Sequence, residues 1–397
     1  MTVPVEFILF GAALAGVAAF HNRTLEVAAA GLAAILAYKL AFTGFHGIPG
    51  PDGLLHHLRG EWVVLANLFG LLMGFALLSR HFEASRVPDH LPDLLPDDWR
   101  GGFMLLVLVF VISSFLDNIA AALIGGTVAA SVYRHKVHIG YIAALVAAAN
   151  AGGSGSVVGD TTTTMMWIDG VSPREVVHAY VAAGIALLVF GVPASMQQQK
   201  YSPIVRRADE RARVDWPRVG VVGFILVTAV VANVTVNVEF PELAARFPVI
   251  GAAVWAALLV AAPWRAPDWK VLPATLRGTV FLLCLVLAAS LMPVEELPAA
   301  SWRTAFGLGF VSAVFDNIPL TKLALEQGGY DWGMLAYAVG FGGSMIWFGS
   351  SAGVAITGLF PQARSVGNWL VSGWHVALAY VVGFLALLLL LGWQPHT

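Results

Sequence analysis

Charge is what this chain has least of. Asp, Glu, Lys and Arg make up 12% of its 397 residues, against about 25% in soluble domains. Hydrophobic residues reach 58% and the mean hydropathy is +0.77. Helices of such composition read apolar all round, which excludes a soluble fold and points to an all-α polytopic membrane protein embedded in a lipid bilayer. The net charge of -2 leaves no basic surface for a nucleic-acid partner. Cysteine is nearly absent: Cys284 stands alone, so no disulfide forms within the chain. Neither a Walker nor an HExxH pattern occurs, and nothing else reads as an enzyme or calls for a cofactor. The first apolar stretch, near residues 4–20, lacks a basic leader and carries Glu6, so it reads as a retained span and not a cleaved signal.

What is present is a short acidic motif, repeated. Ser114-Phe115-Leu116-Asp117-Asn118-Ile119 and Ala313-Val314-Phe315-Asp316-Asn317-Ile318 each interrupt an apolar run. Each is followed by a glycine-serine stretch, Gly152-Gly153-Ser154 through Gly159-Asp160 and Gly342-Gly343-Ser344 through Gly349-Ser350. The two stretches align at an offset of 190 residues, Gly153 with Gly343. A carboxylate at membrane depth costs roughly 2.5–3.5 kcal/mol on insertion scales. Paired sites of this kind in matching halves are the signature of a secondary transporter built from two repeats.

The order of elements supports that division. Residues 1–197 read as three plain spans, interrupted runs at about 103–132 and 138–168, and a last span at 176–196. Residues 219–397 repeat the order, with interrupted runs at about 303–328 and 333–360. The polar, basic segment 198–218 is the linker. If the runs at 103–132 and 303–328 enter and leave on one side as re-entrant hairpins, most Lys and Arg fall on the linker side, leaving Arg59, Arg174, Arg246 and Arg303 opposite. That places the linker in the cytoplasm and both termini outside. It also gives each half an odd number of crossings, so the repeats are inverted.

Backbone turns at membrane depth expose carbonyls that serve as ligands for small cations. Asp117 and Asp316 offer carboxylates, and Asn118, Asn317 and Asn150 offer amide oxygens. Ser154, Ser156, Thr161, Ser344 and Ser350 offer hydroxyls, and Asp160 a third carboxylate. All are hard oxygen donors suited to Na⁺ or a proton. Position 350 holds serine where the first half has Asp160, so acidity is weighted to the first half. Each feature also has a structural reading. Glycine-serine pairs serve close helix packing, and Asp117, Asp160 and Asp316 could cap helices. Lys322 and Glu326 form an i, i+4 pair, and Lys322 is alternatively a coupling residue or substrate contact. His375 reads as a packed, hydrogen-bonded histidine or a proton relay. Asn67, Asn233 and Asn237 read as interhelical hydrogen-bond partners.

At Asp117-Asn118, Ala149-Asn150-Ala151-Gly152-Gly153, Gly159-Asp160, Thr162-Thr163-Thr164-Met165, Asp316-Asn317-Ile318-Pro319-Leu320 and Gly349-Ser350-Ser351-Ala352-Gly353-Val354 the chain resembles the ion transporter superfamily, and within it the NhaD-type sodium/proton antiporters. The resemblance implies inverted repeats, each with a re-entrant hairpin and a broken helix. It also implies a homodimer with a scaffold domain and a moving, elevator-type transport domain, in a bacterial inner membrane. Anion-carrying relatives have Ser-Asn-Thr at the hairpin tips; here Asp replaces the serine, which repels di- and tricarboxylates and attracts cations. The expected function is Na⁺ (or Li⁺)/H⁺ antiport, with Na⁺ at Asp117, Asn118, Asp316 and Asn317. The alternative is a Na⁺- or H⁺-coupled carrier of citrate, a dicarboxylate or arsenite, with Lys322 facing the anion. Lys322 departs from the family pattern, where a small or apolar residue is expected.

Overall fold

A computed structural model describes residues 4–20, 23–45, 48–90, 95–157, 159–204, 213–293, 296–315 and 317–395. Asp316 and the centre of the linker, residues 205–212, lie outside the described residues, as do the side chains of Asn233 and Asn237. The described chain is helical, and its one β feature is an isolated bridge between Phe45 and Ile48. Five described helices are long and apolar enough to cross a membrane: Thr24–Thr43, Gly50–Ala84, Pro173–Tyr201, Trp269–Ser290 and Trp374–Leu391. The protein is therefore an all-helical polytopic membrane protein.

Each interrupted run is a pair of helices. The first is Trp99–Ser113 and Asn118–Val132, the second Ile139–Ser154 and Thr161–Ile168. In the second half the pairs are Trp302–Ser312 with Asn317–Gln327, and Trp332–Gly342 with Ser351–Leu359. The residues that break these helices also restart them. Asp117, at φ -50° and ψ 140°, leaves the helical region, and its carboxylate accepts from the Ile119 N–H. Asp160 and Ser350 are extended, at φ -142° and -143°, and cap the helices that follow. Such caps satisfy amide donors that the first turn leaves open.

Two plain spans are not simple crossings. One helix runs over Gly50–Ala84, its charged first turns continuing into the apolar run. Near the C-terminal end the chain is split into Val366–Ser372 and Trp374–Leu391. Gly373 (φ -101°, ψ 20°) ends the first piece.

The chain forms two compact units, each drawn from both halves. One comprises Met1–Leu78, Val221–Pro298 and Ile318–Gln327; the other Ser79–Gly220, Ala299–Asn317 and Gly328–Thr397. In the first unit Asn67 acts as expected, its Oδ1 accepting from the Gly251 N–H at 3.0 Å, and His57 Nε2 lies 2.9 Å from Ser290 Oγ. In the second unit Ile139–Ser154 and Trp332–Gly342 run through the centre, buried along their whole length after the first residue of Ile139–Ser154. Ala179–Tyr201 and Trp374–Leu391 pack along each other and against Trp332–Gly342.

Candidate functional site

The site is built where the two central helices of the second unit stop. Ile139–Ser154 ends at Gly155, because the Gly-rich segment lacks side chains to sustain a helix and Asp160 captures the next amide donors. The loop is anchored to the first hairpin turn. Ser113 Oγ donates to Ala149 O at 2.6 Å, Ser114 Oγ to Gly152 O at 3.1 Å, and Ser156 Oγ to Ser114 O at 2.6 Å. Thr163 and Thr164 hydroxyls return to Ser156 O at 2.6 Å and Val157 O at 2.9 Å. Ser156 thus ties the loop together, and Ser154 donates within its own helix to Ala151 O at 2.8 Å.

Asn150 joins the two halves. It is fully buried. Its Oδ1 accepts from Asn118 Nδ2 at 3.1 Å, and its Nδ2 donates to Ser344 Oγ at 3.0 Å and Ser350 Oγ at 3.1 Å. Ser350 also caps its own helix, accepting from the Gly353 N–H. The Ser344 carbonyl accepts from Trp369 Nε1 at 3.2 Å. Four of the expected ligands (Asn118, Asn150, Ser344 and Ser350) therefore form one continuous network, closed to water.

Asp160 sits a short way along the same broken helix, 2% exposed, with Oδ1 accepting from the Thr162 N–H at 3.2 Å. Gly340 faces it from the other half. A Cβ at Gly340 would stand 3.2 Å from Asp160 Oδ2, 3.6 Å from Ser154 Cβ and 3.9 Å from Thr162 Oγ1. The Thr162 hydroxyl is buried without a hydrogen-bond partner. Thr161 opens the half-helix, partly exposed. Asp117 is partly exposed at the hairpin turn. Asn317 is buried at the start of its helix, and Asp316 lies outside the described residues. Among the described residues no group of three or more His, Cys, Asp and Glu side chains gathers. The described candidate ligands are carboxylate, amide and hydroxyl oxygens, hard donors suited to a small monovalent cation or a proton.

Lys322 lies in the first unit, 3% exposed. Its Nζ is 3.0 Å from Glu61 Oε2 and 2.6 Å from Glu326 Oε1. The Glu326 pairing matches the i, i+4 spacing. Glu61 was not legible as a partner, since nothing local links positions so far apart; its one signal is an acid at the mouth of an apolar run. Gly340 also escaped the sequence reading, although the 190-residue offset carries Asn150 onto Gly340.

The chain is similar to proteins named as transporters. A family profile described as "Citrate transporter" matches residues 7–342. The chain is 26% identical over 430 residues to "Sodium/proton antiporter 1" of Arabidopsis thaliana, covering 94% of this chain and 71% of that protein. It is 27% identical over 305 residues to "Sodium/proton antiporter 2" of the same plant, covering 64% and 68%. It is 26% identical over 314 residues to "Na(+)/H(+) antiporter NhaD" of Vibrio parahaemolyticus, covering 66% and 72%.

Proposed function

The chain belongs to the citrate transporter family, and we propose that within it this protein is a secondary active antiporter exchanging Na⁺ or Li⁺ for H⁺. The observation that carries the reading is the buried carboxylate of Asp160 beside an amide and hydroxyl network shared by both broken helices. Asp117, Asp160 and Asp316 bind cation or proton in competition. Na⁺ is held at Asp117, Asn118, Asp316 and Asn317, with neutral oxygens from Asn150, Ser154, Ser156, Thr161, Ser344 and Ser350. Loaded carboxylates are neutralised and can cross an apolar interior; empty ones carry an uncompensated charge whose passage is costly. Competition at shared acids thus couples the two fluxes without a further device.

The unit that carries the described ligands is the moving body in this scheme, and the unit containing Lys322 is the scaffold of a homodimer. The repeats are inverted, with re-entrant hairpins, a cytoplasmic linker and both termini outside, in a bacterial inner membrane. The single substitutions Arg100→Cys and Arg303→Cys, at exposed positions near the starts of the two interrupted runs, test the inversion in a Cys284→Ser background. Impermeant thiol reagents should label the Arg100→Cys variant from the cytoplasm and the Arg303→Cys variant from outside; labelling of both from one side refutes the arrangement.

Competition has its own test. Raising pH should lower the apparent KM for Na⁺ until the acids are fully ionised, since protons and Na⁺ share them. A KM that stays flat between about pH 6 and pH 9 in a protein that transports Na⁺ rejects shared binding.

A second reading, a Na⁺- or H⁺-coupled anion carrier, has one specific support beyond the family description. The half-helix Ser351–Leu359 is capped by a neutral serine, so its N-terminal partial positive charge remains available to an anion.

A further inference from the structure

His375 is the second residue of the last apolar helix and has no solvent exposure. It is packed, as the sequence suggests, but not hydrogen-bonded: neither Nδ1 nor Nε2 has a partner. A neutral imidazole carries one donor and one acceptor, and each left unmet in an apolar interior costs about 1–3 kcal/mol. Leucine would fill the same space without that cost, so packing alone does not account for a histidine here.

The surroundings say more. Trp374–Leu391 packs against Ile139–Ser154, Ala179–Tyr201, Trp332–Gly342 and Val366–Ser372. On Trp332–Gly342, the Tyr337 hydroxyl donates to Ala379 O at 3.0 Å. On Ile139–Ser154, the Tyr141 hydroxyl donates to Gly102 O at 2.6 Å. On Ala179–Tyr201, Lys200 is exposed and Tyr201 lies edge-on to His138; Val366–Ser372 has no titratable side chain. The start of Ile139–Ser154 lies against the chain just before His375, since a Cβ on Gly140 would meet the Ser372 backbone carbonyl. His138 is half-buried and caps Ile139–Ser154, its Nδ1 accepting from the Gly140 N–H at 3.1 Å. A Cβ on Gly140 would meet Gln197 Oε1 at 2.7 Å, and that oxygen too is buried without a partner. One end of the unit thus gathers unmet polar atoms of the kind that hold ordered water.

We propose that His375 is a proton relay between one membrane face, entered past His138, and the acids at the far end of Ile139–Ser154. The inference rests on the antiport reading above. From His138 to Asn150 the helix rises roughly 18 Å at about 1.5 Å per residue, a span that the proposal assigns to a chain of water molecules. The step balances: one ring nitrogen takes a proton from water on the entry side, and the other gives up its own proton to water on the site side. The ring then returns to its first tautomer.

His375→Leu and His375→Gln test this in reconstituted vesicles. Na⁺-driven proton flux should fall at least about tenfold in both, since positioned proton transfer is worth about 10²–10⁴-fold. Na⁺-dependent thermal stabilisation should keep its wild-type midpoint. The leucine variant should melt no lower than wild type. Wild-type flux in either folded variant overturns the relay, and so does failure of both to fold, which assigns His375 to packing. If the wild-type protein itself shows no cation-driven proton flux, the antiport reading falls and the relay with it; if the wild type exchanges and the variants match it, the relay alone falls.

Discussion

The two broken helices of the second unit share a backbone plan and carry different side chains. In each, a serine at the end of the preceding arm ties down the same position: Ser113 Oγ to Ala149 O, and Ser312 Oγ to Val339 O at 2.7 Å. In each, a glycine lets the two sides of the break close up. A Cβ at Gly153 would stand 2.7 Å from Gly159 O, and one at Gly343 would stand 2.6 Å from Gly349 O. In each, an extended residue caps the next helix. The difference lies in what fills the frame. The first half places Asn150 and Asp160 where the second places Gly340 and Ser350. The longer amide meets the shorter hydroxyl, and the missing side chain meets the carboxylate.

That exchange of volume separates charge from scaffold. A helix N-terminus carries about half a positive charge. Asp160 more than offsets it in the first half, while Ser350 leaves it standing in the second. Between the two broken helices, that of the first half brings the carboxylate, and that of the second brings hydroxyls that hold Asn150 in place.

The largest effect expected from breaking this asymmetry is at the acids. Asp160→Asn and Asp117→Asn keep the caps, since Asn caps as well as Asp, but remove the charge. Coupled exchange in vesicles should drop more than about a hundredfold, with no loss of thermal stability, because a charge within apolar surroundings is removed. Wild-type exchange in both variants would reject the assignment.

Next in size is Asn150→Ala. It leaves Asn118 Nδ2 and the Ser344 and Ser350 hydroxyls without their shared partner, at about 1–3 kcal/mol for each group left unmet. A clear fall in melting temperature should accompany lost transport; an unchanged melting curve would show that the network adds nothing.

Gly340→Ala is subtler. Its methyl presses on Asp160 from 3.2 Å, so Na⁺ affinity, read by Na⁺-dependent thermal shift, should weaken several-fold while the protein stays folded. Unchanged affinity would remove Asp160 from the ion's coordination. The smallest effect belongs to Ser350→Ala, which loses a cap and costs about 1 kcal/mol. Exchange should weaken but remain well above that of Asp160→Asn, because a neutral oxygen and not a charge is lost. A loss as deep as that of Asp160→Asn would erase the distinction between the halves.

The positions of these sites were legible because carboxylates and glycine-serine runs stand out against unbroken apolar sequence. All four interruptions lie where the pattern fails. The roles within the site were less legible. Asn150 was readable as an oxygen donor, but its bonds to Ser344 and Ser350 span 194 and 200 residues and depend on packing that no local pattern encodes. The pairing of Lys322 with Glu61 is hidden for the same reason. So is the division into two units, each assembled from segments of both halves. The unmet nitrogens of His375 follow from packing alone, since nothing in the sequence around it distinguishes it from an ordinary buried histidine.

The most direct measurement is proton flux in vesicles containing the purified protein, challenged in turn with Na⁺, Li⁺, K⁺, citrate and arsenite. The account predicts that Na⁺ or Li⁺ gradients drive proton movement in the wild type, that Asp160→Asn abolishes it, and that citrate and arsenite are not taken up. Uptake of either anion by a wild-type protein that shows no cation-driven proton flux would contradict it.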